Sequence, residues 1–344
     1  MRKRIYGIGV PTLLVAGYVG YWHYLESELQ RFIDEWIADQ REAGVQVTHG
    51  TITTGGFPLE VYADIPAPAL TATTGAQTVS WQGETLRISF VPWDFLTYRF
   101  DSPGEHLVAV IENDGFAKWA LNAQRAGGSW AIDTSGGAEL KLDIADVAVT
   151  DALAQNFSLG ALDGTVTIAP EGAPADQAKL TATVAVSDLV LPEAIAAPFD
   201  PRIATFTTDV TLQTPVLPPS LPVLFLVLRD YDGRVVLRNT RLAWGELDIS
   251  TEGELRVDAA NYPAGRFPTR VTGYAETIRR LQDAGLLGEL EAVGLAAVAG
   301  AMAQNEDGGR PTVSLVVELI DGLVKVQDIA VMQMAPLPVP GAQS

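Results

Sequence analysis

The sequence predicts a mainly β, α+β protein, with a large antiparallel sheet carried behind an N-terminal transmembrane helix. Three observations lead there. A basic tip, Met1-Arg2-Lys3-Arg4, precedes an uncharged apolar and aromatic run. From residue 45 onward, segment after segment alternates apolar and polar residues with period two. Gly, Pro and Asp punctuate those segments as turns do. Clean alternation signifies one apolar and one solvated face, as in antiparallel sheets, and argues against a doubly wound parallel fold.

The uncharged run from Ile5 to Tyr24 is about 20 residues long, which matches a hydrocarbon core of ~30 Å. The basic tip predicts a cytoplasmic N-terminus, with Tyr21, Trp22 and Tyr24 as an interfacial aromatic belt. Residues 1–24 are therefore read as tip and anchor. A cleaved signal peptide is the competing reading, against which stands the absence of a small-residue cleavage site in the YWHY stretch. In residues 25–44, Leu25, Leu29, Phe32, Ile33, Trp36 and Ile37 recur at helical spacing before Gly44, predicting an amphipathic helix that packs on the first strands. Its mixed, acidic polar face disfavours a place on a membrane surface.

Alternation then runs through Leu140, Leu142 and Ile144, through Leu180 to Val186, and through Ala204 to Leu212. The Pro-rich stretch from Pro215 to Pro222 sets a boundary near residue 216 between two halves of the sheet, 45–216 and 217–344. The second half holds two helical stretches, 221–231 and 274–304, the latter interrupted at Gly285 and Gly288. Five Asp-Gly pairs occur, at 114, 163, 232, 307 and 321, and Asp321-Gly322 between VSLVVELI and LVKVQDIAV is the clearest hairpin turn. Further hairpins are expected between Trp81 and Phe90 and around Thr251-Glu252-Gly253.

Composition narrows the chemistry. The 344 residues include no Cys, which excludes disulfide scaffolds, thiolate nucleophiles and thiolate metal sites. Twenty-three Lys and Arg against 42 Asp and Glu leave a net charge of −19, which disfavours nucleic acid as a partner. His23, His49 and His106 fall in no metal-ligand spacing, and no nucleophile elbow or phosphate-binding Gly-rich loop is present. The chain reads as no enzyme, with no cofactor and no metal.

Two helical stretches cannot cover the apolar face of ten or more strands. Leaving ~600 Å² of apolar surface in water forgoes on the order of 15 kcal/mol, so another sheet, a folded-over sheet or lipid must meet that face. Leu142, Ile144 and Val184 are the candidate groove residues. The aromatic segment FVPWDFLTYRF offers Trp93 and Phe95, either at the mouth of an acyl-chain groove or as core anchors of a turn. Arg234, Arg238 and Arg241 lie in the main basic concentration of the acidic body, either as a lipid headgroup site or as cross-strand ion pairs with Glu246, Asp248, Glu252 and Glu254.

Gly56-Phe57-Pro58, Trp81, Pro92-Trp93, Pro103-Gly104-Glu105-His106, Trp244-Gly245 and the closing Asp321-Gly322 followed by Pro336-Leu337-Pro338 carry a resemblance. In their order and spacing the chain resembles the membrane-anchored envelope proteins of domain-of-unknown-function family 2125, which are similar to the AsmA-like group. The resemblance implies a single bacterial inner-membrane anchor and a periplasmic, extended, strongly curved antiparallel sheet with an apolar interior. It also implies a connection with envelope lipids and no catalytic residues. The expected function is binding or shuttling of membrane lipid in an apolar groove. The alternative is an envelope assembly or scaffold factor that docks a protein partner by strand addition.

If the anchor reading holds, a C-terminal alkaline phosphatase fusion is active and the mature chain begins at or near Met1; an N-terminus between residues 17 and 28 would instead mark a cleaved signal.

Overall fold

The computed structural model describes residues 6–74, 77–112, 115–151, 155–170, 172–174, 179–218, 221–304 and 310–337. The protein is mainly β, and every strand pairing of determined register is antiparallel. Contacts divide it into two compact units, residues 1–132 with 142–156, and 133–141 with 157–344. Position 216 lies inside the second.

The first unit opens with one uninterrupted helix, α1 (Tyr6–Glu42), which ends where Gly44 adopts a φ of +86°. Among the described residues no helix is long and apolar enough to cross a membrane. From Leu25 onward the i, i+4 positions Leu25, Leu29, Ile33 and Ile37 form the buried stripe that their spacing predicts. They pack on Val47, Val61, Ala63, Ile65 and Phe90, each large side chain contributing about 1.5–3 kcal/mol by burial. Trp22 does not sit in an exposed aromatic belt: it is 3% exposed, because its indole finds both an apolar site and an acceptor in the protein.

The strands of this unit are β1 (Gln46–Thr48), β2 (Thr53–Gly55), β3 (Val61–Pro66), β4 (Ala69–Thr74), β5 (Gln77–Gly83), β6 (Thr85–Val91), β7 (Asp94–Asp101), β8 (Gly104–Glu112), β9 (Gly115–Ile132) and part of β10 (Ala138–Asp151). β3 pairs β6 while β4 pairs β5, so the stretches 61–74 and 77–91 form one long hairpin with a break at 67–68 and 84. The stretches 94–112 and 115–132 continue the pattern: β8 pairs β5, and β9 pairs β8 with its first half and β7 with its second. The breaks line up into a corner across four strands.

Backbone bonds stitch that corner: Ala67 N–H donates to Glu84 O (2.8 Å), Glu84 N–H to Glu105 O (3.1 Å) and Ser102 N–H to Ala126 O (2.7 Å). The hairpin expected between Trp81 and Phe90 is therefore not formed. Glu84 bends a through-going strand, and β5 and β6 pair with other neighbours. The tight turn of this region is instead Pro92-Trp93, between β6 and β7.

The second unit contains β11 (Asn156–Ile168, from Phe157), β12 (Leu180–Val190), α2 (Glu193–Ala196), β13 (Arg202–Gln213), α3 (Leu221–Asp230), β14 (Arg234–Trp244), β15 (Leu247–Val257), β16 (Pro263–Thr272), α4 (Tyr274–Asp283), α5 (Glu289–Met302), β17 (Ala303–Gln304), β18 (Thr312–Ile320), β19 (Leu323–Val326) and β20 (Ile329–Gln333). Strands β11 to β16, then β18 to β20, pair in sequence as a meander. The 221–231 expectation is met by α3, and the 274–304 stretch forms two helices parted at Gly285, φ +72°. Asp321-Gly322, both at positive φ, closes the β18–β19 hairpin as expected.

Other turn expectations fail. Asp163-Gly164 lies inside β11, paired with Ala185 and Val184, and Asp232-Gly233 links α3 to β14. The pairs at 114 and 307 fall at or within residues outside the described set. Thr251-Glu252-Gly253 is the middle of β15. Gly253 is required for close approach: a Cβ there would lie 2.4 Å from Arg266 O and 2.6 Å from the Phe267 ring.

If α1 is part of the first unit's core, Leu29→Ala lowers the unfolding free energy by about 2–5 kcal/mol, measured by urea denaturation of the full chain in detergent. Across β3 and β6, Arg87 donates to both Asp64 oxygens (2.6 and 2.7 Å) and lies over the Tyr62 ring. Those hydrogen bonds hold the Asp64 carboxyl below its usual pKa, against a smaller opposing effect of burial. The stabilisation is present above the ordinary Asp value of about 3.9 and is lost as pH falls through the lower native value. Because both groups are partly exposed, Asp64→Asn should cost only about 0.2–1 kcal/mol at pH 7, and the difference from wild type should vanish in strong acid.

Candidate functional site: an apolar cleft beneath the N-terminal helix

Between α1 and the cornered sheet lies a cleft of about 230 Å³. The helix contributes Phe32, Ile33, Trp36 and Ile37; the strands contribute Val47, Ile65, Leu70, Trp81, Leu86 and Ile88, with Thr48, His49, Pro68 and Ala69 completing the wall. The helical stripe explains the division of labour. Ile33 and Ile37 face the core, while Phe32 and Trp36, i and i+4 on the adjoining line, stay 50% and 43% exposed at the rim.

The corner sets the opposite wall. His106 is buried, with its Nε2 bonded to Ser102 O at 2.7 Å and the Trp81 ring stacked at 6.0 Å. Ser102 Oγ donates in turn to Thr85 O. His106 thus orients the indole that lines the cleft, and its Nδ1 finds no partner among the described residues.

Gly56-Phe57-Pro58 sets how the helix enters. Gly56 has φ +109°, and a Cβ there would lie 2.5 Å from Glu60 O. The loop it permits presents Phe57 edge-on to Trp22 (5.5 Å, 89°) and the Glu60 carbonyl to the Trp22 indole N–H (2.8 Å). Tyr18 Oη donates to Pro58 O, and Tyr21 Oη donates to Pro92 O at 2.8 Å. The Glu26 carboxylate is held below its usual pKa, chiefly by the hydrogen bond from Thr54 Oγ1 (2.6 Å).

On the other side of Phe32 is a second hollow of about 450 Å³, bordered by Tyr21, Leu25, Leu29, Phe90, Phe95 and Tyr98 with Glu28, Arg31 and Glu35 at its edge. Phe32 stacks on Tyr98 (5.8 Å, 18°) and so divides the two hollows. Burial pushes the Tyr98 phenol above its usual pKa.

Of the residues expected from sequence, Phe95 borders this second hollow and is half exposed, and Trp93 stands at the Pro92-Trp93 turn, 67% exposed. Leu142 and Ile144 are half-buried in β10, in the first unit. Val184 is half-buried in β12, in the second. Cross-strand register places Val184 beside Thr208, on the face that also carries Leu180, Leu212, Val235, Leu255 and Leu319. Arg234 and Arg241 are on the opposite face of that sheet, by the same register. Arg241 holds Asp248 through Nε and Nη2 (2.6 Å for the shortest contact), and Arg234 is 3.5 Å from Glu254. Arg238 is exposed opposite Asp209, beside a bulge at Asn239. The apolar face also carries a band of threonines, with Thr208 bonded to Thr240 (2.8 Å) and Thr251 to Thr269 (2.9 Å).

Sequence reasoning missed Phe32 and Trp36 as site residues, together with Leu70, Trp81, Leu86 and Ile88. The available signal was the excess of large apolar residues on the helix beyond a single i, i+4 stripe. Such an excess means that the helix has more apolar surface than one packed face uses.

Chemically the cleft offers dispersion contacts, apolar walls and rim aromatics, which suits a hydrocarbon chain. Among the described residues no three His, Asp or Glu side chains gather as metal ligands would. No curated protein and no solved structure matches the chain. One family model does, the one described as "Uncharacterized protein conserved in bacteria (DUF2125)", over residues 22–338. That span includes the Gly56-Phe57-Pro58 loop, the corner and the closing hairpin, and the chain belongs to this bacterial family.

Proposed function

We propose that the protein binds an acyl chain of an envelope lipid in the cleft between α1 and the cornered sheet, without catalysing a reaction. The observation that carries this reading is the cleft itself, with about 230 Å³ walled by Ile33, Ile37, Ile65, Leu70, Leu86 and Ile88 and opened between Phe32 and Trp36. An apolar cavity of about 150 Å³ accommodates a benzene-sized guest and stays dry. The cleft is larger, and each buried methylene contributes about 0.8 kcal/mol. Attachment to the bacterial inner membrane through the N-terminal segment, a periplasmic body, kinship with AsmA-like proteins and a strongly curved groove all belong to this proposal. Arg234 and Arg241 do not: in the second unit's sheet the cross-strand carboxylates of Glu254 and Asp248 supply them with partners without a headgroup.

One observation favours a second reading, docking of an envelope protein by strand addition. β20 pairs with β19 alone among the described strands, and all five of its residues are exposed, Ile329, Val331 and Met332 included. An exposed apolar edge strand is a template for another strand.

Dibrominated stearate should quench the fluorescence of the two cleft tryptophans, Trp36 and Trp81. Replacement of both by Phe should remove most of that quenching. Lipid extracted from detergent-free protein and identified by mass spectrometry should be lost in Leu70→Asp and retained in Thr183→Asp, whose site is exposed on β12. Folded wild-type protein that carries no lipid and shows no quenching overturns the lipid reading in favour of the strand-edge one.

A further inference from the structure

Helix α5, ELEAVGLAAVAGAM, is apolar on every side beyond its first turn. From Ala292 to Met302 it carries no charged residue. A helix of that composition is ordinarily enclosed by protein or lipid. Here Ala292 alone is buried, while Leu290 is 88% exposed and Val293, Leu295 and Val298 are exposed as well.

The arrangement of these side chains identifies what covers them. At about 100° per residue, Leu290, Val293, Leu295 and Val298 fan over roughly 200° of the helix surface. Ala292 and Ala299 fall on the remaining side, and the one charged position within the fan is Glu291, in the first turn. A helix packed on one protein surface commonly presents a stripe of about 100° or somewhat more, so a single docked helix would leave part of the fan in water. A fluid hydrocarbon phase covers all of it.

We infer that α5 is a membrane-surface helix, which beds into the acyl layer of a lipid bilayer. Fourteen residues at 1.5 Å each give a length of about 21 Å, short of the ~30 Å needed to span, so the helix lies along the interface. Its N-terminal end is polar and ordered: Glu291 reaches back to accept the Gly288 N–H at 3.0 Å, and Glu289 stands beside it. Leu286, exposed in the segment joining α4 to α5, extends the apolar surface. No Lys or Arg lies on α5, and both Arg279 and Arg280 of α4 are within ion-pair distance of Glu276. Attraction to anionic headgroups therefore contributes little, and apolar insertion supplies the affinity. This inference does not rest on the acyl-chain cleft, which lies in the other unit.

The chain has no cysteine, so single reporters can be placed cleanly. Leu290→Cys, Val298→Cys and, as a solvated control, Thr183→Cys are each labelled with the fluorophore NBD in the full chain. The proteins are then reconstituted in phosphatidylcholine vesicles. At 290 and 298 the emission should move to shorter wavelength and be quenched by doxyl-labelled phosphatidylcholine, with little response to added salt; at 183 it should do neither. Water-like emission at both α5 positions overturns the inference. So does a short-wavelength emission that rises with protein concentration but ignores the lipid quencher, since a second copy would then be the cover. In the doubly charged variant Val293→Glu with Val298→Glu, a 290 label should lose lipid quenching while the circular dichroism spectrum is unchanged. Persistent quenching there also overturns it.

Discussion

Trp22 donates its indole N–H to the carbonyl of Glu60, and much of the first unit depends on that contact. It joins a helix to a loop 38 residues later in the chain, and it sits at the head of the stripe that continues through Leu25, Leu29, Ile33 and Ile37. With the head fixed, the stripe can meet only one line of strand residues, Val61, Ala63, Ile65 and Phe90. A buried indole without an acceptor would cost about 1–3 kcal/mol, so the loop must present its carbonyl. Gly56 makes that possible by adopting a backbone conformation closed to other residues. The cleft follows from the same geometry, because a helix held at its head and packed along one stripe leaves its adjoining line facing a sheet that bends away.

The elements legible in the sequence were those governed by local rules. Period-two alternation identified the strands, helical spacing identified the stripe of α1, and a positive-φ Asp-Gly pair identified the β18–β19 turn. What local rules could not reveal was long-range register. Gly253 resembles a turn glycine in sequence, yet it serves the approach of β16 and the Phe267 ring. Glu84 resembles a hairpin tip between Gly83 and Thr85, yet it marks a bend. In β14 the apolar phase changes from Val235 and Leu237 to Thr240 and Leu242, and the irregularity at 238–239 keeps both pairs on one face. Without the neighbouring strands, that change of phase is invisible.

The same distinction explains the fate of the site residues. The arginines stood out as the main basic concentration of an acidic body, with a headgroup site and cross-strand ion pairs as the two readings, and in a strand adjacent residues point to opposite faces. Arg241 and Leu242 illustrate this: one meets Asp248, and the other lies on the apolar side with Phe206 and Ile249. Phe32 and Trp36 escaped notice because they fit the helical periodicity well enough to pass as core. Their exposure depends on how far the sheet extends beneath them, which no window of helix sequence contains.

The corner that crosses β3–β4, β5–β6, β7–β8 and β9 has a consequence for how chain length can vary. Each strand must bend at the same height, at 67–68, 84, 102–103 and 124–126, for the ladder to remain paired on both sides. A residue inserted in one arm would displace that strand's bend from the other three and reverse the facing of every side chain up to the next turn. Growth and loss of residues are therefore confined to hairpin tips such as Pro92-Trp93. The arms behave as fixed rulers, and the distance from corner to tip is set by the pairing of the strands, whatever side chains line it.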